Sequence, residues 1–309
     1  MTRKVILDMD PGVDDAAALC LALALQELDV VAVTATGGNV GPEQASRNVQ
    51  AIIERIDPPR WPRIGAADPA QDLRADARDL HGLTGLGEAE ITVAEKANRH
   101  PSPKLIADEV RREPNEVSVI STGPMTNLAA LLELEPEAAA AVDRLVLLGG
   151  SLSAGGNVTA AAEFNVYCDA RSARSVFQSG ATPLLVPFDV SREMVFGYDL
   201  LEFVRSRPSR TCQLLSELLP GFYRAYRQRF GMEGVYLHDL AAVIALSHPG
   251  LFTTERLHGD VEVTGELTHG ATVFDRRPKP DGPPNLDVAV SIDAAAARDV
   301  FFRALETAC

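Results

Sequence analysis

Lys4-Val5-Ile6-Leu7-Asp8-Met9-Asp10-Pro11-Gly12-Val13-Asp14-Asp15-Ala16-Ala17-Ala18-Leu19 is the stretch that decides the architecture. A short apolar, partly β-branched run stops at carboxylates, Asp10-Pro11-Gly12 breaks regular structure, and the Ala/Leu segment from Asp14 to about Leu28 reads as a helix. The same grammar recurs outward from it. Val30 to Thr36 is a buried-type strand ending in Gly37-Gly38-Asn39, and a helix follows from about Pro42 to Arg55 with proline near its start. Val117 to Ser121, Arg144 to Leu148 and Thr182 to Val186 are further apolar strands. Strands alternating with helices imply an α/β fold: an open, mostly parallel sheet with helices on both faces.

After Asp189 the texture changes. Leu200 to Phe230 reads as mostly helical, and His238-Asp239 opens another apolar helix to about Leu246. Gly259 to Phe274 alternates in the manner of exposed strands, so the C-terminal third is expected to hold a helical cluster and a small antiparallel annex. Arg276 to Asn285 is a loop by composition, and a last strand and helix run from about Leu286 to Ala308. With no internal repeat, linker or low-complexity tract, residues 1–309 read as a single domain.

The charge balance narrows the partners. Twenty-nine Lys+Arg against 43 Asp+Glu leaves a net charge of −14, opposite to the basic footprint of a nucleic-acid reader. No apolar run approaches the ~18 residues of a membrane span, and Val5-Ile6-Leu7 is too short for a secretory core. Cys20, Cys168, Cys212 and Cys309 lack metal-type spacing and read as reduced thiols. The expectation is a soluble, acidic, cytoplasmic protein without nucleic-acid or membrane partners.

Aspartates 8, 10, 14 and 15 crowd one strand-to-helix turn, at the carboxyl end of a strand, where open parallel sheets bind ligands. Two readings stand on spacing alone. Carboxylates this close repel, and a hard divalent cation with oxygen ligands resolves the conflict. Alternatively they form a solvated helix start, where aspartate is favoured. The turn has neither P-loop nor GxGxxG spacing, so it offers no nucleotide phosphate cradle. At other strand ends stand Asn39, Thr126-Asn127, and Asn157, Glu163 and Asn165. Singly these are turn residues; together they favour a polyhydroxylated ligand, which amides and carboxylates hold at fixed geometry. His238-Asp239 reads either as an N-cap with an incidental histidine or as one more carboxylate beside a titratable acid.

These residues resemble the inosine-uridine-type nucleoside hydrolases. Asp8-Met9-Asp10-Pro11-Gly12-Val13-Asp14-Asp15-Ala16 matches that family's amino-terminal signature throughout. Gly38-Asn39, His81-Gly82-Leu83-Thr84-Gly85-Leu86-Gly87, Gly123-Pro124-Met125-Thr126-Asn127 and Gly149-Gly150 follow in order. Then come Gly156-Asn157, Glu163-Phe164-Asn165, His238-Asp239 and Gly265-Glu266-Leu267-Thr268-His269-Gly270. The resemblance implies a Rossmann-like sheet and hydrolysis of the N-glycosidic bond of ribonucleosides to ribose and free base. It also implies a calcium ion, Ca2+, held by Asp10, Asp15, Asp239 and the backbone carbonyl of Thr126, with the ribose 2′- and 3′-hydroxyls and a water completing the shell. By the same carry-over Asp14, Asn39, Asn157, Glu163 and Asn165 bind ribose, Asp10 is the general base, His238 protonates the leaving base and His81 is a candidate base contact. A homo-oligomer, tetramer or dimer, is the family's usual assembly.

Departures from the family pattern bear on the base. The purine-specific subclass stacks the base between two tryptophans, whereas this chain has Trp61 alone, in a Pro/Arg segment. With His238 present, the resemblance points to the base-nonspecific or pyrimidine-leaning subclasses. Tyr223, Tyr226, Arg227 and Gln228 lie in the base-contacting region without matching either pattern. Two other functions share part of the signature. A haloacid-dehalogenase-type phosphatase also opens on Asp-x-Asp, but Pro11 would be an insertion and Asp14-Asp15 would be unexplained. A non-catalytic ribose- or nucleoside-binding protein would not need Asp10 beside a metal.

Overall fold

The computed structural model describes residues 2–89, 93 and 99–308. The strands are β1 (Arg3–Met9), β2 (Leu28–Ala35), β3 (Arg63–Ala66), β4 (His100–Pro101), β5 (Val117–Ser121) and β6 (Leu145–Leu148). They continue as β7 (Leu184–Val186), β8 (Val195–Phe196), β9 (Val235–Tyr236), β10 (Phe252–Val261), β11 (Thr272–Asp275) and β12 (Leu286–Ile292). Ten of them form one sheet in the order β11-β10-β12-β7-β6-β5-β1-β2-β3-β4. From β12 to β4 every pairing is parallel.

β1 lies between β2 and β5, so the chain winds outward from it in both directions. The crevice at such a reversal of strand order is where an open α/β sheet receives ligands. β1 is buried from Val5 through Met9, which accounts for its unbroken apolar character before the aspartates.

The helices show why each settles where it does. Beyond Asp14 and Asp15 in its first turn, Val13–Ala24 is apolar all round, is buried from Val13 to Ala22, and packs against helices Arg210–Phe230, Asp239–Ser247 and Ala294–Thr307. Pro42–Ile56 is two-faced instead: Ala45, Val49, Ile52, Ile53 and Ile56 go inward while Glu43, Arg47 and Arg55 stay exposed. Fully buried Phe196 meets Phe301 edge-on at 5.6 Å, and a side chain of that size contributes about 1.5–3 kcal/mol through burial.

The annex expected from Gly259 onward begins earlier and is not separate. β10 starts at Phe252, pairs antiparallel with β12, and carries β11 on its other side, so this hairpin extends the edge of the main sheet. Thr253 to Arg256 are all exposed and show no alternation, which begins only at Gly259, where buried and half-buried residues alternate. The separate antiparallel unit is the β8–β9 ribbon, in which Val195 pairs with Tyr236. Leu200 to Phe230 is helical as expected, in two pieces, Tyr198–Arg205 and Arg210–Phe230. Cys20, Cys168 and Cys212 are buried thiols, while Cys309 lies outside the described residues. Among the described residues no helix is long and apolar enough to cross a membrane.

Candidate active site

A cavity of about 570 Å³ opens at the carboxyl ends of β1, β2, β5 and β6. Its acidic floor comes from the Asp-Pro-Gly turn and from the first residue of helix Asp239–Ser247. Asp14, Asp15 and Asp239 are buried, with a ligand oxygen from each within 4.8 Å of the others. Asp10 stands beside this trio. The backbone N–H of Asn39 donates to Asp10 Oδ2 at 2.7 Å, and the Asn39 amide donates to the Asp10 carbonyl at 3.0 Å and to Asp15 Oδ2 at 3.1 Å. This seat exists because residue 38 is glycine: a Cβ there would fall 2.0 Å from Asp10 Oδ2. Asp15 also accepts from the Gly12 N–H at 2.8 Å and from Thr122 Oγ1 at 2.8 Å.

Burial raises the carboxyl pKa of Asp10, Asp14, Asp15 and Asp239, and mutual repulsion adds to this at Asp10, Asp14 and Asp239. Among the described residues Asp239 Oδ2 is buried with no hydrogen-bond partner. An unpaired buried carboxylate oxygen among like charges is costly, and a divalent cation removes the cost. The all-oxygen donor set suits a hard ion. Two helices, Val13–Ala24 and Asp239–Ser247, also begin at the floor, where their positive dipole ends favour anionic groups.

Thr126 is not brought to this floor. It opens helix Thr126–Leu134, its hydroxyl donates to Asp169 at 2.8 Å, and a carbonyl in the first helical turn is taken up by the helix ladder. Thr122, directly after β5, lines the cavity instead. Asp8 does not line it either. It lies below, with Oδ1 accepting from Thr34 Oγ1 and the Asn127 amide at 2.7 Å each, and burial pushes its pKa up to about 7. Asp8 and Asn127 are thus a buttress joining β1, β2 and the helix after β5.

The wall beside the floor carries the expected polar side chains. Glu163 caps helix Phe164–Cys168: its carboxylate accepts from the N–H groups of Asn165 (2.9 Å), Val166 (3.2 Å) and Gly150 (2.8 Å). Burial nevertheless pushes its pKa up to about 7. The Asn165 amide donates to the carbonyls of Thr122 at 2.6 Å and Leu148 at 3.1 Å, leaving Oδ1 as the remaining acceptor. Asn157, on an exposed loop, accepts from the Phe164 N–H through Oδ1 at 2.8 Å, which leaves its NH2 as donor.

His81 is buried against Phe222, with ring centroids 5.0 Å apart, and its Nδ1 accepts from the Val13 N–H at 3.0 Å. That bond places the ring proton on Nε2, and burial draws the pKa down to about 3. His238 is partly buried between Phe188 and Tyr236, at centroid distances of 5.7 and 5.1 Å. Desolvation draws it to about 4, so the ring is neutral near pH 7.

The outer half of the cavity is aromatic and apolar, with Leu80, Phe188, Tyr226, Phe230, Met232 and Tyr236 around a slot suited to a planar heterocycle. An ion pair between Arg229 and Asp79 spans its mouth. Of the residues flagged near the base, Tyr226 lines the cavity, whereas Arg227 and Gln228 do not. Tyr223 points elsewhere, donating to the Gly197 carbonyl at 2.6 Å. Trp61 is 45% exposed and does not line the cavity. Phe188, Ser191 and Tyr236 also line the cavity, though none belongs to a spacing pattern in the sequence.

Comparison with known proteins agrees over the length of the chain. A family model described as inosine-uridine preferring nucleoside hydrolase matches residues 5–299. The pyrimidine-specific ribonucleoside hydrolase RihA of Shigella boydii is 36% identical over 296 residues, 95% of each chain. RihA of Salmonella paratyphi B is 35% identical over 309 residues, 99% of each. Among solved structures, a plant nucleoside hydrolase superposes with a TM-score of 0.91 at 29% identity. The purine-preferring ribonucleoside hydrolase from Gardnerella vaginalis does so with 0.91 at 31%, each pair covered to 99%. With the match extending from β1 into the last helix and the acidic floor at the sheet's switch point, the chain belongs to the inosine-uridine preferring nucleoside hydrolases and is an enzyme of that kind.

Proposed function

We propose that the protein hydrolyses the N-glycosidic bond of pyrimidine ribonucleosides, with calcium held in the acidic floor by Asp10, Asp15, Asp239 and the Thr122 carbonyl. The observation that carries this reading is the unpartnered, buried Asp239 Oδ2 within a carboxylate cluster, roofed by an aromatic slot. A bound calcium ion supplies the charge that orients the sugar diol and acidifies water. The remaining chemistry belongs to the chain. With Asp10 Oδ2 held by Asn39, Oδ1 is left to accept a proton from the attacking water. Asp14 accepts from a ribose hydroxyl, and the Asn157 amide donates to another. As the glycosidic bond breaks, positive charge builds on the ribose. Asn165 Oδ1 and the spare lone pairs of Glu163 stabilise it more in the transition state than in the ground state. The His238 ring, neutral in the free enzyme, takes up a proton from solvent as negative charge builds on the departing base and hands it on through Nε2, with His81 Nε2–H a second hydrogen-bond donor beside it.

Preference for pyrimidines is supported by His238 in the cavity, the lack of a tryptophan there and the 36% identity to RihA, against 31% to the purine-preferring hydrolase from Gardnerella vaginalis. A kcat/KM panel over uridine, cytidine, inosine, adenosine and 2′-deoxyuridine tests the substrate. Uridine and cytidine are expected to lead, and 2′-deoxyuridine to be poor because it lacks the 2′-hydroxyl that would donate to Asp14 and reach the cation the floor would hold. Faster turnover of purine nucleosides would overturn the base assignment, and equal values for uridine and 2′-deoxyuridine would overturn the placement of the sugar.

The metal is checked independently of the substrate. Purified protein is expected to carry about one calcium per chain on oxygen ligands alone, and exhaustive chelation is expected to abolish activity. Zinc in elemental analysis, or full activity after chelation, would remove the calcium assignment.

A further inference from the structure

We propose that Ser191 is the positioning residue for His238: its hydroxyl engages one ring nitrogen and so turns the other toward the departing base. This rests on the reading of His238 as the donor to the leaving group. Ser191 Oγ lies 3.0 Å from His238 Nδ1, and Ser191 is only 2% exposed while lining the cavity. A hydroxyl can donate or accept, so it satisfies Nδ1 whether the ring is neutral or protonated. In both states Nε2 is the nitrogen left for the substrate.

The fold is arranged to hold this contact. Past β7 the chain enters the short helix Phe188–Ser191, where the Phe188 N–H donates to the Gly150 carbonyl at 2.8 Å and the Ser191 N–H to Pro187 at 3.0 Å. From there it runs into β8, which pairs with β9, and the Leu237 N–H donates to the Met194 carbonyl at 3.0 Å. The β8–β9 ribbon therefore clips the segment bearing Ser191 onto the segment bearing His238. Phe188 and Tyr236 bracket the ring but offer it no hydrogen bond at Nδ1. Aromatic contacts alone leave the ring free to turn over, exchanging Nδ1 with Nε2, and among the described residues the Ser191 hydroxyl is the partner at Nδ1 that distinguishes the two orientations.

The test is a double-mutant cycle read on two substrates, uridine and 4-nitrophenyl riboside, whose leaving group departs without a proton. Ser191→Ala is expected to lower kcat on uridine by about 10–100-fold with little change in KM, the usual size of an outer partner that orients a functional histidine. The loss on the nitrophenyl riboside is expected to be at least about tenfold smaller, and Ser191→Ala placed on His238→Ala should cost nothing more. Wild-type kcat in Ser191→Ala, equal losses on both substrates, or losses that multiply in the double mutant would each overturn the proposal while leaving His238 as donor. If His238→Ala itself slows both substrates equally, the donor reading fails and the proposal goes with it.

Discussion

Asp10→Asn is expected to lower kcat on ribonucleosides by roughly 10³–10⁴-fold, the upper range for a positioned general base. The substitution keeps an oxygen of the right shape in the seat formed by Gly38 and the Asn39 N–H, so the floor should still assemble. What it removes is the basic lone pair for the attacking water. Calcium content measured on the same sample separates the two contributions: retained metal with lost turnover assigns the deficit to proton transfer. Asp10→Ala should lose both together. A kcat near wild type in Asp10→Asn would show that another group takes the proton.

His238→Ala carries the second large effect, and it depends on the leaving group. A pyrimidine anion leaves poorly, so loss of its donor should reduce kcat on uridine by roughly 10²–10⁴-fold. A nitrophenolate leaves readily, and 4-nitrophenyl riboside should therefore be hydrolysed by this variant almost as fast as by wild type. The deficit then belongs to the transition state of one substrate and not the other. Asp239→Ala is the contrast, since a lost floor carboxylate should harm both. Equal slowing by His238→Ala would move leaving-group activation to His81, or to Tyr226 and Arg229 at the outer wall.

Much of this was readable because it is local. The Asp8–Asp15 turn announces itself by spacing, and Val117–Ser121 matches β5 residue for residue because a buried parallel strand is a bounded apolar run. β3 and β4, at four and two residues, are too short to carry a period and rest on pairing with their neighbours. The choice between Thr122 and Thr126 also exceeded local pattern. Both sit in one motif, and only the start of the helix at residue 126 decides which carbonyl stays outside the helix ladder. Ser191 and Tyr236 reach the cavity through the β8–β9 ribbon, a pairing across some forty residues that no window of sequence contains.

The acidic floor is also assembled across the chain. Asp10, Asp14 and Asp15 belong to its first turn, whereas Asp239 begins a helix in its last third. During synthesis the early trio leaves the ribosome long before its fourth member exists, and the helix bearing Asp239 must dock on the first helix before the cluster closes. Until then the early aspartates stay hydrated and tolerate one another. The native state therefore creates the repulsion, and a cation that binds there recognises the finished fold and not its precursors. Such a cation would draw the population toward the folded enzyme by mass action.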